Sequence, residues 1–400
     1  MRWLIVEDAL RSREGHWFEY VGTFLRGLRA LGDEVTVLCD GQAEAFIREE
    51  LEAQPILPPS IWRRMGDKAN ALTRYWRVPD HAFKTWKAMN GFLAHQESWD
   101  AIFVPTTLVH HLLGWYFLIR FNRACQRSRV LLFFPNLPII LQQDGTPAWT
   151  KSPTTRLMRL IFRGLRKDIL AGRVVLGVET AAMQSALAKL TNLPVTYFPH
   201  PVQAVEPREK PATETLNLGS YGPGRQEKGS DLLQKAILLY LGGTLYHRAR
   251  FIFQVVGNFT VSDESRTPHA ALPGLEGNSM VKVIRSFFGP GEYAEYLHTT
   301  HIMLLPYRQS SYGLRVSRVV IEAMVNGIPV VATEGTTLWQ QANEFGAAIP
   351  CQDGSVGSLH QALIDAIFSY PRLRLLAREK QKAAQEHFSV LNFRKILFSL

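Results

Sequence analysis

The chain has 400 residues, of which 46% are hydrophobic, and a formal net charge of +10. That length suggests two domains, each able to bury a core. The three cysteines are isolated, so the sequence signals neither a disulfide framework nor a cysteine-based zinc site. No uncharged apolar run reaches the roughly 18 residues typical of a membrane-spanning helix, and the opening "MRWLIVED" predicts a strand instead of a signal peptide. A cytoplasmic protein is the default expectation.

Basic residues are concentrated in the later part of the first half. Residues 51–200 contain 19 Lys/Arg and 8 Asp/Glu, whereas residues 1–50 contain 6 and 10. Such asymmetry indicates an anionic partner, namely nucleic acid, a phospholipid surface or an acidic substrate. No recognised nucleic-acid-binding motif accompanies the charge, so nucleic acid is not expected as a partner.

Strands and helices alternate along the first half of the chain. The strand "RWLIVED" is followed by a helical stretch over about 16–31 and then by the strand "EVTVLC". The strands "AIFVPTT", "RVLLFFP" and "VVLGVET" come next, and "PVTYFPHPV" closes this half. This alternation is typical of a parallel sheet with helices on both faces.

A polar stretch, "QAVEPREKPATET", interrupts the alternation and predicts a linker. The alternation restarts with "LNLGSYG" and continues through "FIFQVVG", "MVKVIRSF", "HIMLLPY" and "IPVVAT". The sequence therefore predicts an α/β protein with two doubly wound, Rossmann-like parallel-sheet domains facing across a cleft. The expected parts are a first domain over 1–202, a linker over 203–214, a second domain over 215–375, and C-terminal helices over 376–400 that are candidates to cross back to the first domain.

The second half opens on a basic glycine turn, "SYGPGRQEKGSDLLQKA". Gly222 and Gly224 would let the backbone approach a phosphate closely, and Arg225 and Lys228 would supply positive charge. The spacing fits neither a Walker motif nor the GxGxxG dinucleotide fingerprint. By itself the segment is equally consistent with an ordinary turn that carries two solvated cations.

A second motif, "SRVVIEAMVNGIPVVATEGTT", places Glu322 on a short helix. Gly327 is expected to take the left-handed conformation that ends the helix before a buried strand. The helix start near Ser317 leaves N–H groups that suit an anion. Glu322, one turn further, could accept hydrogen bonds from a ribose attached to that anion. The alternative is a solvated glutamate that the helix dipole favours.

Together, "GRQEKGSDLLQKA" and "EAMVNGIPVVAT", about 95 residues apart, resemble the C-terminal domain of GT-B glycosyltransferases. The resemblance is closest to the retaining nucleotide-sugar group, glycosyltransferase family four (group 1). "YAEYLHTTHIMLLPY" is similar to the family segment that leads into the donor site. More loosely, "EGHWFEYVGTFLRGLRALGDEVTVL" resembles the opening loop and helix, where Gly15 would approach the donor phosphates. The resemblance implies an acceptor-binding first domain and a donor-binding second domain.

The resemblance also implies roles for individual residues. Arg225 and Lys228 would bind the diphosphate and stabilise the charge that grows on the departing nucleotide, which makes them the catalytic candidates. Glu322 would bind the ribose. The donor-binding candidates are Gly15, Gly222, Gly224, Arg315, Ser317 and Glu322. The implied reaction is a retaining, metal-independent hexosyl transfer from a nucleotide-diphosphate sugar, with no cofactor.

The chain departs from the family pattern at two places. The family usually has a glutamate eight residues before Glu322, where this chain has Leu314. The string "YGLRVSRVVIEAM" instead puts Arg315 at the helix head, either as a further phosphate contact or as an exposed charge. The missing glutamate leaves the donor-sugar contacts undefined.

The other departure concerns the histidine that often follows an N-terminal strand of the family. "LLFFPNLP" has Asn136 at that point, and His110 and His111 follow the preceding strand. With His16, these are the candidates for the acceptor side. The alternative for His110 and His111 is a structural pair that faces a loop or the core.

The predicted function is sugar transfer to an acceptor of a polysaccharide or a lipid-linked glycan. The alternative is a catalytically idle GT-B relative that binds nucleotide sugars or acts as a scaffolding subunit. A glycoside hydrolase would need paired carboxylates, which the sequence does not place. A dinucleotide oxidoreductase would need a glycine fingerprint, which "EDALRSREGH" lacks.

Two basic segments of the first half suggest contact with an anionic membrane. In "TTRLMRLIFRGLRKDIL" the aliphatic residues are expected near one face of a helix and the cations on the others. That apolar face would comprise Leu157, Leu160, Ile161, Leu165 and Ile169. Upstream, Trp62, Trp76 and Trp86 are interleaved with further cations. The pattern suits peripheral binding to the inner face of the plasma membrane; the alternative is an ordinary amphipathic helix packed on the sheet.

Overall fold

The structure is a computed structural model that describes residues 1–13, 17–61, 71–142, 144–206, 208, 214–255, 271–289 and 291–399. The chain divides into two compact units. Unit 1 comprises Met1–Pro201 and Val390–Leu400, and unit 2 comprises Val202–Ser389. Within the described ranges, no helix combines the length and apolarity needed to cross a bilayer.

Unit 1 is built on a seven-stranded parallel sheet in the order β3-β2-β1-β4-β5-β8-β9. Its strands are β1 (Arg2–Val6), β2 (Glu34–Asp40), β3 (Gln54–Leu57), β4 (Ala101–Val104), β5 (Arg129–Phe134), β8 (Val174–Val178) and β9 (Thr196–Tyr197). A separate antiparallel pair is formed by β6 (Ile139–Leu141) and β7 (Pro147–Trp149). The direction of winding reverses between β1 and β4, and doubly wound sheets bind ligands beyond the carboxyl ends of the strands at such a point.

The helices of unit 1 include the last helix of the chain. They are α1 (Trp17–Ala30), α2 (Ala45–Glu50), α3 (Ala71–Leu93), α4 (Val109–Phe121), α5 (Arg123–Arg127), α6 (Pro153–Gly164), α7 (Arg166–Leu170), α8 (Ala181–Thr191) and α16 (Val390–Phe398). Phe393 of α16 packs against Phe24 and Phe198, with ring centroids 4.7 and 4.5 Å apart. Arg394 donates from Nε and Nη2 to the two carboxylate oxygens of the buried Asp33, at 2.7 and 3.1 Å. Aromatic packing and this forked ion pair hold α16 in unit 1.

The prediction of one apolar helix face over residues 154–170 is wrong for Leu160. The segment forms two helices, α6 and α7, and Leu160 is 59% exposed instead of buried. The buried stripe runs through Met158, Ile161, Phe162, Leu165 and Ile169. Leu160 lies about 100° around the helix from Ile161, since each residue turns the helix by that angle. It therefore lies among the exposed arginines.

Unit 2 is built on a six-stranded parallel sheet in the order β12-β11-β10-β13-β14-β15. Its strands are β10 (Leu216–Ser220), β11 (Ala249–Gln254), β12 (Val281–Ile284), β13 (Ile302–Leu305), β14 (Val330–Thr333) and β15 (Ala348–Cys351). Its helices are α9 (Ser230–Leu241), α10 (Glu292–Thr299), α11 (Gln309–Tyr312), α12 (Arg318–Val325), α13 (Thr337–Phe345), α14 (Val356–Phe368) and α15 (Tyr370–His387). Winding reverses between β10 and β13, so the segments that follow these two strands meet at one edge of the sheet.

The unit boundaries can be set beside the predicted parts. The chain passes from unit 1 to unit 2 between Pro201 and Val202, and it returns to unit 1 at Val390. Residues 203–206, at the start of the predicted linker, have no regular structure. Residues 207 and 209–213 lie outside the described residues. The left-handed conformation expected at Gly327 is confirmed, with φ +62°.

Candidate functional site

The glycine turn of unit 2 depends on glycine at both of its ends. Gly222 has φ +93° and Gly229 has φ +66°, in the left-handed region that favours glycine. A Cβ atom on Gly229 would also lie 2.0 Å from the carbonyl oxygen of Pro306. The Gly222 N–H donates to Oε1 of the buried Gln254 at 2.7 Å, which ties the turn to the end of β11. The turn is therefore held in one shape at the carboxyl edge of the sheet.

Lys228 lies inside this turn. Its Nζ is 2.8 Å from the position that a Cβ on Gly222 would occupy and 5.5 Å from the ring centroid of Tyr307. Burial and the neighbouring Arg225 lower the pKa of Lys228 to about 8, although the charges of Glu227 and Glu322 act in the opposite direction. An anion bound next to Lys228 would therefore stabilise the charged form of its ammonium group.

Two guanidinium groups share one carboxylate beside this lysine. Arg225 Nη1 donates to Glu227 Oε1 at 3.1 Å, and Arg315 Nη1 lies 3.7 Å from Glu227 Oε2. Arg315, with a side chain 41% exposed, is the more open of the two. Together with Lys228, the cluster contains three cations and one carboxylate. It therefore has a surplus of two positive charges at the carboxyl edge of β10.

Glu322 is buried, with 6% of its surface exposed. The Tyr293 hydroxyl donates to Glu322 Oε2 at 2.6 Å, and Arg318 Nε donates to Oε1 at 2.8 Å. This excludes the alternative of a solvated glutamate. Burial and the Glu322 charge hold the pKa of Tyr293 well above its ordinary value, so Tyr293 remains a hydrogen-bond donor to this carboxylate.

Ser317 lies at the N-cap position of α12 and is buried, but its side chain makes no capping hydrogen bond within the described part of the chain. The chain entering the helix is instead anchored by the Thr337 hydroxyl, which donates to the carbonyl oxygens of Tyr312 and Arg315. The first N–H groups of α12 are consequently not covered by the Ser317 hydroxyl. Unit 2 contains all the predicted residues of the second half: Gly222, Gly224, Arg225 and Lys228 lie on the turn, and Arg315, Ser317 and Glu322 lie around the start of α12.

The candidates for the acceptor side belong to unit 1 and are more scattered. Gly15 of the donor set, and His16, lie outside the described residues. Asn136 is exposed in the turn after β5. His110 and His111 are in the first turn of α4, where burial lowers the pKa of His110 to about 4. Of His110, His111 and Asn136, only His111 takes part in a polar network with other described residues.

That network centres on Asp8, directly after β1. Asp8 Oδ2 is 2.9 Å from His111 Nε2 and 3.2 Å from His81 Nε2. His111 Nδ1 accepts a hydrogen bond from the Leu108 N–H at 3.2 Å, which leaves Nε2 to donate to Asp8. Burial alone would raise the pKa of Asp8, but His111 and His81 together outweigh it and hold the pKa below its ordinary value. All three side chains are buried.

Asp8, His81 and His111 also present potential metal ligands, whose atoms lie within 4.8 Å of one another. Both imidazoles, however, direct Nε2 at the same carboxylate oxygen. His111 Nε2 donates to this oxygen, because the backbone N–H at Nδ1 leaves the proton on Nε2, and His81 Nε2 lies within ion-pair distance of the same oxygen. We therefore interpret the cluster as a hydrogen-bonded network.

Two further acids at the same edge were not among the predicted site residues. Burial and the charge of Asp8 raise the pKa of Glu7 to about 8, so its carboxyl group is largely protonated at neutral pH. Glu179 follows β8, and its Oε1 is 2.8 Å from His200 Nδ1. The Tyr20 ring stacks on His200 with centroids 4.5 Å apart. The signal in the sequence was an acid directly after a buried strand, as in "LIVED" and "LGVET".

Known proteins share the predicted family pattern and the fold of this chain. The family model described as "Glycosyl transferases group 1" matches residues 214–367. No curated protein matches the sequence. HepE of Anabaena, in complex with UDP and glucose, is 13% identical and aligns over 99% of this chain and 98% of its own, with a TM-score of 0.63.

Two further solved structures align over the whole of this chain. An E. coli structure described as trehalose-6-phosphate bound with UDP-2-fluoro glucose is 14% identical over 98% of that chain, with a TM-score of 0.63. Sucrose-phosphate synthase from Thermosynechococcus elongatus is 14% identical over 97% of that chain, with a TM-score of 0.60. The family match confirms the predicted resemblance to group 1 glycosyltransferases, and the alignments confirm the GT-B fold.

Proposed function

We propose that this chain, whose residues 214–367 match the group 1 glycosyltransferases, transfers a sugar from a nucleotide-diphosphate donor to a glycan or lipid-linked acceptor, with retention of configuration and without a metal. The observation that carries the proposal is the juxtaposition of the Lys228 turn with the buried Glu322. Solved structures with the same fold contain UDP and glucose or UDP-2-fluoro glucose, which supports a nucleotide-sugar donor.

The charges of the unit 2 site suit a diphosphate. Lys228, Arg225 and Arg315 exceed the single carboxylate of Glu227 by two positive charges. The diphosphate of a nucleotide sugar carries two negative charges at neutral pH, so it would neutralise the cluster. Backbone N–H groups at the start of α12 would add donors, since helix N-termini favour anions.

The same cations would act in the chemical step. Cleavage of the sugar–phosphate bond moves an electron pair onto the diphosphate and leaves an oxocarbenium-like sugar. Lys228 and Arg225 would stabilise the leaving group more strongly than the bound substrate, because its charge is greater in the transition state. In front-face transfer the departing phosphate would accept the proton of the acceptor hydroxyl, so no separate base is required.

Glu322 would bind the ribose hydroxyl groups. Its carboxylate is held by Tyr293 and Arg318, and a ribose would either add a third hydrogen bond or displace one of these donors. A carboxylate has about four lone-pair positions, so two further hydrogen bonds can be accepted. This capacity supports the ribose assignment without requiring Tyr293 to move.

For the acceptor we assign unit 1, in particular the carboxyl edge of β1 and β4. Glu7 and Asp8 follow β1, and His110 and His111 follow β4. His110 is neutral at physiological pH because burial lowers its pKa to about 4. His111 is fixed by Asp8. We propose that His110 faces the acceptor and that the Asp8–His111 contact positions the first turn of α4.

The surface of unit 1 supports a membrane-bound acceptor. Helix α4 packs against α3 and α6. Large apolar side chains are exposed on all three, namely Trp76, Phe83, Phe117, Phe121 and Leu160. Cations are exposed on α6 and α7, namely Arg156, Arg159, Arg163, Arg166 and Lys167. Such a surface, which we call the basic–aromatic surface, suits an anionic bilayer. Trp86 is only half-buried, and Trp62 lies outside the described residues.

Cosedimentation with phosphatidylglycerol vesicles tests the membrane contact. The protein is expected to bind at low salt and to dissociate as salt screens the surface charges. Replacing Arg163, Arg166 and Lys167 by Glu is expected to abolish binding, and Leu160→Ser to weaken it, while nucleotide binding is unchanged. Failure of the wild-type protein to bind at low ionic strength would make the membrane assignment wrong.

A charge-matched control distinguishes vesicle binding through the basic–aromatic surface from attraction by net charge. Lys235, Arg372 and Lys382 are exposed cations of unit 2. Replacing these three by Glu changes the net charge by the same amount, yet vesicle binding is expected to persist. Equal loss in both triple variants would indicate attraction by net charge alone.

One observation favours the alternative of an idle nucleotide-sugar-binding subunit. Leu314 replaces the usual first glutamate, so one expected contact to the donor sugar is absent. A panel of UDP-, GDP- and ADP-sugars decides between the two functions. An enzyme is expected to release nucleotide from one member slowly without acceptor and faster with one, whereas an idle relative would bind it without turnover. Loss of that turnover in Lys228→Ala would assign it to this site.

A further inference from the structure

Unit 2 contains a basic cavity away from the cluster of Lys228, Arg225, Arg315 and Glu227, which we call the donor-side cluster. It is lined by residues before β13 and β14 and by α15, including His298, Asn326, Tyr370, Arg374 and Arg378. Residues that precede parallel strands lie at their amino edge, whereas the Lys228 turn follows β10 at the carboxyl edge. The two sites are therefore on opposite edges of the sheet.

The cavity is large enough for a small anion. It holds about 90 Å³ of space open to the centres of water-sized spheres. One water requires roughly 10–15 Å³ by this measure. Several waters, or one phosphate group, would fit.

Two arginines of α15 give the cavity its charge. Arg374 and Arg378 are one helical turn apart, and Tyr370 lies one turn before them. Neither guanidinium makes an ion pair or a side-chain hydrogen bond with the described residues. A third arginine of the lining, Arg208, is already paired with Glu295 at 2.8 and 2.9 Å.

The end of α12 does not account for these two arginines. Helix C-termini attract cations because their last carbonyl groups lack partners. Here the Val325 carbonyl accepts from Gln381 Nε2 at 3.0 Å and Gln385 Nε2 at 2.9 Å. The Glu322 carbonyl accepts from Asn326 Nδ2 at 2.7 Å. Neutral amides thus satisfy these carbonyl groups and leave the guanidiniums available.

We propose that this cavity binds a phosphate group, either as free phosphate or as a small phosphate monoester, with Arg374 and Arg378 as its main ligands. Two planar guanidiniums with several donors each match the oxygens of a phosphate. Tyr370 and His298 also line the cavity and add polar side chains to it. Glu206 also lines the cavity and opposes the anion, which sets the affinity below that of a purely basic site.

The ligand would contact the far end of the helix that carries Glu322. Asn326 donates to the Glu322 carbonyl and accepts from the Val205 N–H at 2.9 Å, and Asn326 lines the cavity. The proposal does not depend on the assignment of the donor site. Binding to this cavity is measured directly, so its outcome is separate from the presence or absence of glycosyl transfer.

Calorimetric titration with inorganic phosphate tests the proposal, at constant ionic strength maintained with chloride. All proteins carry Lys228→Ala, which weakens phosphate binding at the donor-side cluster. Arg374→Gln with Arg378→Gln is expected to weaken binding by at least about tenfold, or 1.4 kcal/mol, because each guanidinium would donate charge-assisted hydrogen bonds to the phosphate. The matched control is Arg372→Gln with Lys382→Gln, two exposed cations of the same helix outside the lining.

The control pair is expected to leave phosphate binding unchanged. Glu206→Gln is expected to strengthen binding, because it removes the opposing charge; this variant tests the proposal even if the double arginine variant is unstable. A phosphate monoester such as phosphoserine, titrated in parallel, distinguishes free phosphate from an esterified ligand. Equal binding in the arginine and control pairs, no binding by the parent protein, or no effect of Glu206→Gln would each overturn the proposal.

Discussion

Raising the pH should weaken donor binding through Lys228. In the unliganded protein, burial and Arg225 lower the pKa of this lysine to about 8. A diphosphate beside Nζ favours the charged form, so binding must raise that pKa. A group whose pKa is higher in the complex contributes its full stabilisation below pH 8, and the contribution is lost as the pH rises above that value.

The size of the effect follows from this shift. Above pH 8, each further pH unit weakens binding by up to about tenfold, or 1.4 kcal/mol, until the pKa of the complex is reached. Calorimetric titration with UDP across this range measures the slope. Near pH 9, binding is also expected to be accompanied by the uptake of close to one proton. This uptake is measured as a dependence of the binding heat on the ionisation heat of the buffer.

Lys228→Arg is the matched control, because a guanidinium remains charged throughout this range. Its affinity for UDP is expected to be independent of pH, or to keep only the dependence that belongs to the nucleotide itself. A flat profile for the wild-type protein would refute the placement of the diphosphate beside Lys228. An equal slope in Lys228→Arg would show that another group titrates.

Three other changes test the site and the fold. Glu322→Gln is expected to weaken nucleotide binding by about 1–3 kcal/mol in calorimetry; Arg318→Gln removes the same ion pair but not the ribose acceptor, so an equal loss there would contradict the ribose contact. Lys228→Ala is expected to lower kcat by a larger factor than it raises KM in steady-state kinetics, because the charge it meets grows in the transition state; a rise in KM alone would limit it to ground-state binding. Asp33→Ala leaves the arginine of α16 unpaired and is expected to lower the free energy of unfolding by about 3 kcal/mol in urea denaturation, whereas Glu34→Ala, at an exposed neighbour, should have almost no effect.

Several features of this protein could be predicted from local sequence because their causes are local. Strands that are buried on both faces appear in the sequence as short apolar runs, so the alternation of strands and helices could be predicted in both halves. Gly327 follows an apolar helix and precedes a proline-led strand, a position where the left-handed conformation is required. The spacing of the glycine turn and the Glu322 helix indicated the resemblance to the family, in which both motifs are expected to bind the same donor.

The residues that complete the candidate site were decided by tertiary structure. Asp8, His81 and His111 are far apart in the chain, and they meet because parallel strands bring their carboxyl ends to one edge and α3 packs beside α4. Only one of the two partners of Glu322 is local. Arg318 lies one turn away on the same helix, whereas Tyr293 belongs to α10 and meets Glu322 through the tertiary fold. Periodicity describes one element at a time and carries no information about such pairings.

Burial, too, depended on the tertiary fold. An acid near a helix start is compatible with solvent or with a buried site, and only the packing of α10 against the Glu322 side chain excluded solvent. Leu160 shows the converse, because its apolar character predicted a buried position but the angle of α6 on unit 1 leaves it exposed among arginines. The sequence by itself determined the elements and the chemistry of their side chains. The fold decided which of those side chains meet and which face water, because both depend on contacts between segments distant along the chain.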